Sequence, residues 1–249
     1  MKRVLITGAS GFIGSFLLQH LKGFDVQPLS LRDSSWTHQP LNADVIIHAA
    51  GIAHASKHIA DEDYQEVNCQ LTKRLLEKAT ESKVSQFIFL STALVFGEGH
   101  VGAITTTSKR NPQNAYAKSK MCAEDVIHDH PSMPSLIFRL PLVVGKNPKG
   151  NVRSLQRLAR VSPVFLRIPN QRSILTLDDL VRIMEEAITI QSTGVRHPFS
   201  QTLSTSELYQ QLRGSFTLLL PLPKTLFYKL RTSSRFLSKL LGDFYYTTN

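Results

Sequence analysis

This 249-residue chain has only two cysteines, one tryptophan and fewer acidic than basic residues. It also lacks a long apolar run. The longest apolar stretch, around Phe216 to Leu222, falls far short of the ~18 residues that a membrane-spanning helix needs. Cys69 and Cys122 both fall in segments that read as helices. Two such residues make no disulfide framework, and they fit a reducing compartment. The opening Met1-Lys2-Arg3 runs straight into Val4-Leu5-Ile6-Thr7-Gly8, a strand and turn rather than the apolar core of a signal peptide, so a cytoplasmic location is expected. No repeat or low-complexity tract is present. With 29 Lys and Arg against 19 Asp and Glu, the formal charge is +10. Such a surface either serves solubility or attracts a polyanion: nucleic acid, anionic lipid or a phosphorylated small molecule.

What is present is globular: 42% hydrophobic and 19% charged residues, in a length that suits one α/β domain. Val4 to Thr7, Asp25 to Leu31, Asp44 to His48, Phe87 to Leu90 and Leu136 to Phe138 read as strands. Between them lie an amphipathic helix to about Leu21, a long helix from about Tyr64 to Ser82, and a third helix carrying Tyr116 to about His130. Asn111-Pro112 looks like the start of that third helix, a capping residue followed by proline at the first helical position. Strands alternating with helices predict a doubly wound, Rossmann-type parallel sheet covered on both faces. Residues 1–249 read as a single domain, with 1–145 the sheet core. Residues 146–249, richer in proline, supply a small substrate-binding region and a C-terminal helical tail.

Three clusters carry chemistry. Thr7-Gly8-Ala9-Ser10-Gly11-Phe12-Ile13-Gly14 is a glycine-rich turn between the first strand and a helix, where the backbone can approach a pyrophosphate at the helix N-terminus. Tyr116 and Lys120 are four residues apart on a helix and share a face. An ammonium there is expected to lower the phenol's pKa and make it useful for proton transfer. Ser91 and Thr92 end a strand at the sheet edge where open α/β sheets bind ligands, and a hydroxyl there can hold a substrate oxygen.

These clusters, with His48-Ala49-Ala50-Gly51, Val67-Asn68 and Arg139 to Gly145, resemble the NAD-dependent epimerase/dehydratase family of extended short-chain dehydrogenases/reductases, which act largely on nucleotide sugars. The resemblance covers most of the chain and implies roles for residues. Thr92, Tyr116 and Lys120 are the catalytic set. Gly8, Gly11, Phe12, Ile13, Gly14, Ala49, Ala50, Asn68, Tyr116 and Lys120 face the cofactor. Thr92, Asn151 and Arg172 face the substrate, Arg172 on its diphosphate. A narrower likeness, in Gly150-Asn151 and Asn170 to Ser173, is to bacterial capsule and O-antigen reductases that reduce the 4-keto group of UDP-2-acetamido-2,6-dideoxy-hexos-4-ulose to UDP-FucNAc or UDP-QuiNAc. Arg32, at the end of the second strand, favours NADP(H) by pairing with a 2′-phosphate. If Asp33 holds that position instead, NAD(H) is favoured.

The sequence also departs from the family's pattern. Only about a dozen residues separate Leu31 from Asp44, so the usual helix and strand there are cut short. Leu140 and Phe96 replace the usual proline and tyrosine. His48, His54 and His58 lack a further ligand for a metal site, and no metal is expected. No aromatic-basic interleaving points to nucleic acid. The basic tail, with Lys224, Lys229, Arg231, Arg235 and Lys239, reads as a helix packed on the domain; the alternative is peripheral membrane contact. The family often pairs through its central helices, which makes a homodimer an expectation. Two rival functions remain, a 4-epimerase with bound NAD and a non-catalytic NAD(P)- or RNA-binding protein.

Overall fold

The structure is a computed structural model that describes residues 1–53, 59–97, 100, 102–105, 107–146, 148, 150–223, 225, 227 and 242–247, without the side chain of residue 151. His54, His58 and the five tail cations therefore lie outside the described residues, as does the side chain of Asn151.

Six strands form one parallel sheet: β1 (Arg3–Thr7), β2 (Asp25–Leu29), β3 (Val45–His48), β4 (Gln86–Thr92), β6 (Ser135–Leu140) and β10 (Gly194–Arg196), in the order β10-β6-β4-β3-β1-β2. The helices are α1 (Phe12–His20), the single turn α2 (Ser35–His38), the continuous run of α3 (Asp61–Gln65), a π-turn at Glu66–Gln70 and α4 (Leu71–Glu81), then α5 (Ala115–His128) and α7 (Leu177–Thr189). Both faces of the sheet are covered, so its central strands are apolar throughout. Val45, Ile47, Ile88 and Phe138 pack under α1 and α7, while Ile46, Phe87, Phe89 and Ile137 pack under α4 and α5. Each large side chain buried this way stabilises the fold by roughly 1.5–3 kcal/mol. The short link after Leu31 holds only α2, whose Trp36 is buried in the second cluster. That leaves β2 as the sheet edge. Chain direction across the sheet switches between β1 and β3, which opens a crevice at their C-terminal ends.

The second layer contains α6 (Gly150–Val161) and α8 (Thr205–Arg213) with three small sheets. One joins β11 (Gln201–Leu203), β9 (Arg172–Thr176) and β7 (Leu142–Val144). Another pairs β12 (Leu218–Pro221) with β8 (Val164–Arg167), and the third pairs β13 (Tyr245–Tyr246) with β5 (Ala103–Ile104). The end of the chain pins this layer: Asn170 Nδ2 donates to the Gly242 carbonyl, and Tyr246 N–H donates to Ser173 Oγ.

Two expectations are corrected here. The N-cap of α5 is Asn114, whose side chain accepts from Ala117 N–H at 2.8 Å, and not Asn111. Asn111 N–H is committed to the Val95 carbonyl, so the helix starts only after this loop is spent. Cys69 and Cys122 are joined in a disulfide that ties the π-turn to α5. The cysteines thus give no support to a reducing compartment. Among the described residues no helix is long and apolar enough to cross a membrane.

A buried chain of hydrogen bonds fastens the crevice. Ala50 N–H donates to Thr7 Oγ1, which faces His48 Nδ1 at 2.7 Å. His48 Nε2 faces Thr72 Oγ1 at 2.9 Å, and Thr72 gives its own proton to the Asn68 carbonyl. Because Thr72 spends its proton on the Asn68 carbonyl, Nε2 must donate to Thr72, so neutral His48 is the Nε2–H tautomer and accepts from Thr7 at Nδ1. Burial, then the charge of Lys120, lowers its pKa to about 3. The unfolded chain therefore binds a proton near pH 6.5 that the folded chain refuses, so stability falls as pH drops from about 6.5 toward 3, by up to ~1.4 kcal/mol per pH unit. His197, lowered to about 4 by burial and Arg139, adds to the same window. In urea unfolding followed against pH, His48→Gln should flatten this slope. An unchanged slope would contradict the assignment.

Candidate functional site

The crevice is a cleft of about 760 Å³ walled by both layers. Phe12 and Ile13 start α1 at one end, and Ala49, Ala50 and Gly51 follow β3. Thr92, Tyr116 and Lys120 lie in the middle, and Arg172 with Phe244 comes from the second layer.

The glycine turn fits an anion. Gly8 has φ +68, and a Cβ on it would stand 2.6 Å from Ala50 N. A Cβ on Gly14 would run into the Gly8 carbonyl oxygen. These contacts let α1 approach β1 and β3 closely. The helix N-terminus has Gly11 at its cap, no side-chain hydrogen bond and no acid in its first turn. Its leading N–H groups, with the positive end of the helix dipole, are thus presented to a phosphate.

In the middle of the cleft, the Tyr116 hydroxyl hydrogen-bonds with Thr92. Thr92 Oγ1 also accepts from Leu94 N–H at 3.2 Å, which fixes it at the end of β4. Burial pushes the Tyr116 pKa up to about 12, against the opposing pull of the Thr92 hydrogen bond. This corrects the expectation that Lys120 would lower it. Lys120 Nζ instead donates to the Leu90 carbonyl at 2.8 Å and sits 4.3 Å from the Phe89 ring centre. Burial lowers the Lys120 pKa to about 7, with Glu124 acting the other way. Tyr116 is therefore a protonated phenol at neutral pH, with a proton to give.

The other residues singled out in the sequence take different places. Asn68 is buried behind the wall: its Oδ1 accepts from Ile52 N–H, and its Nδ2 donates to the Ile52 carbonyl and Ser119 Oγ. Its amide braces the loop after β3 against α5. Arg32 is exposed on the loop after β2, outside the cleft wall. Asp33 is turned to Ser35, whose N–H and Oγ both bond its carboxylate and lower its pKa. Arg172 reaches the cleft from the start of β9, and burial lowers its pKa to about 10, so it stays cationic at neutral pH.

Sequence reasoning missed the support beneath this set. Glu124, one turn after Lys120 on α5 and 2% exposed, accepts from Ser91 Oγ, from Arg139 through Nε and Nη2, and from Arg110 Nη1. Tyr246 Oη donates to the Arg139 carbonyl at 2.7 Å. The four-residue spacing from Lys120 was a usable signal for Glu124, whereas nothing local links Tyr246 to residue 139. Tyr64, also in the wall, meets Tyr116 edge-on at 6.5 Å.

Comparison with known proteins bears on the family and the fold. The family model described as NAD dependent epimerase/dehydratase family matches residues 4–195. A UDP-glucose 4-epimerase of Vibrio cholerae is 30% identical over 75% of this chain and 66% of its own length. A UDP-2-acetamido-2,6-beta-L-arabino-hexul-4-ose reductase of Pseudomonas aeruginosa is 32% identical over 84% of this chain and 56% of its own. The chain thus spans just over half to about two thirds of these relatives. A crystal structure of dTDP-4-dehydrorhamnose reductase from Bacillus anthracis with NADP superposes with a TM-score of 0.78 at 18% identity, covering 100% of this chain and 91% of that one, a likeness of fold.

The glycine cradle makes a direct prediction. Gly14→Ala pushes α1 off the turn, so affinity for a reduced nicotinamide dinucleotide, NADH or NADPH, measured by cofactor fluorescence should fall at least about ten-fold, the order of one misplaced phosphate contact. Affinity equal to that of the parent chain would contradict the cradle.

Proposed function

This chain belongs to the NAD-dependent epimerase/dehydratase family, and from that premise we propose that it is an NADPH-dependent reductase of a nucleotide sugar. The substrate we assign is UDP-2-acetamido-2,6-dideoxy-hexos-4-ulose, reduced at C4 to UDP-FucNAc or UDP-QuiNAc for surface polysaccharide in the cytoplasm. Residues 1–145 serve the cofactor and 146–249 the sugar nucleotide. The observation that carries the reading is the convergence of Thr92, Tyr116 and Lys120 on one cleft, with the first turn of α1 in the same wall. Ketone reduction ends on an alkoxide that needs a proton, and the Tyr116 phenol, protonated at neutral pH, can give it. The reductase among the relatives, named for a 4-keto hexulose, supports the same substrate class.

A bound nicotinamide supplies the hydride. Gly8, Gly11 and Gly14 would hold its pyrophosphate, with the first turn of α1 and Ala49-Ala50 alongside. Thr92 holds the reacting oxygen and Tyr116 donates the proton. Lys120, released from the Leu90 carbonyl, would bind ribose hydroxyls. Arg172 would hold the substrate diphosphate, as a guanidinium fork suits paired phosphate oxygens. The preference for NADPH rests on Arg32, which is exposed, and on Asp33, whose carboxylate is engaged with Ser35.

NADPH absorbance, followed with the 4-keto sugar nucleotide supplied by a dehydratase, tests the reading. Consumption should match formation of a 4-hydroxy product. Tyr116→Phe should lower the rate by about 10²–10⁴-fold while cofactor affinity stays within two-fold, the usual scale for losing a general acid. Substantial turnover by that variant would overturn the assignment. Arg32→Glu should reverse the preference from NADPH to NADH. An unchanged preference would remove Arg32 from the cofactor site.

A further inference from the structure

Ten large apolar side chains stand exposed among the described residues, and seven of them cluster in one part of the second layer. Val164 and Leu166 on β8 pair in register with Leu218 and Leu220 on β12. With side chains alternating along each strand, these four share one face. Phe165, between the first two, points the other way and stacks on Tyr209 at 4.0 Å. Val161 and Phe216, each 78% exposed, extend the face, with Leu158 one turn before Val161. Hydrogen bonds hold the cluster together. Arg213 Nη1 donates to the Ala159 and Ser162 carbonyls and its Nε to the Phe216 carbonyl, while Leu218 N–H bonds the Pro163 carbonyl. A fixed, exposed aliphatic surface of this kind marks an interaction site.

The elements that carry it are cationic: residues 150–167 contain Arg153, Arg157, Arg160 and Arg167 and no Asp or Glu, and residues 213–223 contain Arg213 and none. On α6, Arg153, Arg157 and Arg160 form one exposed stripe beside that of Leu158 and Val161. Among the described residues these three arginines make no ion pair.

We propose that this face docks on an anionic lipid bilayer, its aliphatic side chains entering the interface while the α6 arginines meet lipid phosphates. A bilayer satisfies both features at once. A second copy does not: a two-fold contact through this face would set cations against cations. Nucleic acid would meet the arginines but leave the aliphatic strands uncovered.

Co-sedimentation of the full chain with vesicles tests this. Binding to phosphatidylcholine vesicles containing phosphatidylglycerol should exceed binding to phosphatidylcholine alone at least ten-fold and weaken with salt. The variant Phe216→Ser, Leu218→Ser, Leu220→Ser keeps every cation and should bind at least ten-fold less, with an unchanged far-UV spectrum and thermal midpoint. Arg157→Ala and Arg160→Ala should each reduce binding about five-fold. Full binding by the triple-serine variant would overturn the proposal, as would a stable dimer that the same substitutions dissolve.

Discussion

The arrangement of the cleft depends on one buried chain of hydrogen bonds, running from Ala50 through Thr7, His48 and Thr72 to Asn68. It links the ends of β1 and β3 to the π-turn, and Asn68 carries it on to Ile52 and to Ser119, next to Lys120. Every group in it is buried or half-buried, so each lost partner would leave an unsatisfied polar atom at a cost of roughly 1–3 kcal/mol. The chain works only with His48 neutral, and burial keeps it so. The wall after β3 and helix α5 are thus fixed relative to each other by hydrogen bonds as well as by packing.

A second buried centre lies beneath the cleft residues. Glu124 gathers Ser91, Arg110 and Arg139 around one carboxylate, and the Tyr246 hydroxyl closes it from the end of the chain. A lone carboxylate at that depth would be costly. With two guanidinium partners and a hydroxyl its oxygens are satisfied, and losing one partner would be strongly destabilising. Because Ser91 precedes Thr92 and Glu124 follows Lys120 by one turn, this centre helps set where Thr92 and Lys120 stand in the cleft. The second layer therefore does more than cover the cleft; its strand β13 helps hold the buried centre beneath Thr92 and Lys120.

Local patterns in the sequence carried much of this. The glycine turn stood out because strand, turn and helix are contiguous, and Tyr116 with Lys120 because a four-residue spacing defines a helix face. The six sheet strands followed from apolar runs, except for short β10. What could not be read depends on distant partners. Asn111-Pro112 reads locally as a helix start, but the Asn111 N–H bonds the distant Val95 carbonyl. The disulfide joins residues 53 apart in sequence, through a π-turn that no propensity announces. The Tyr116 pKa was expected to fall because a neighbouring cation was visible in the sequence and the degree of burial was not. Asn68, expected beside the nucleotide, braces the wall instead, a distinction set by which backbone groups it meets.

The central claim is a net reduction in which Tyr116 supplies the proton and the cofactor the hydride. The most direct test follows a label. NADPH carrying deuterium at the transferring position of C4 is incubated with the 4-keto sugar nucleotide, and the product is examined by mass spectrometry. The account predicts one deuterium at sugar C4, transferred in proportion to the NADPH oxidised. A product without deuterium, or sugar interconversion with no net oxidation of NADPH, would contradict it.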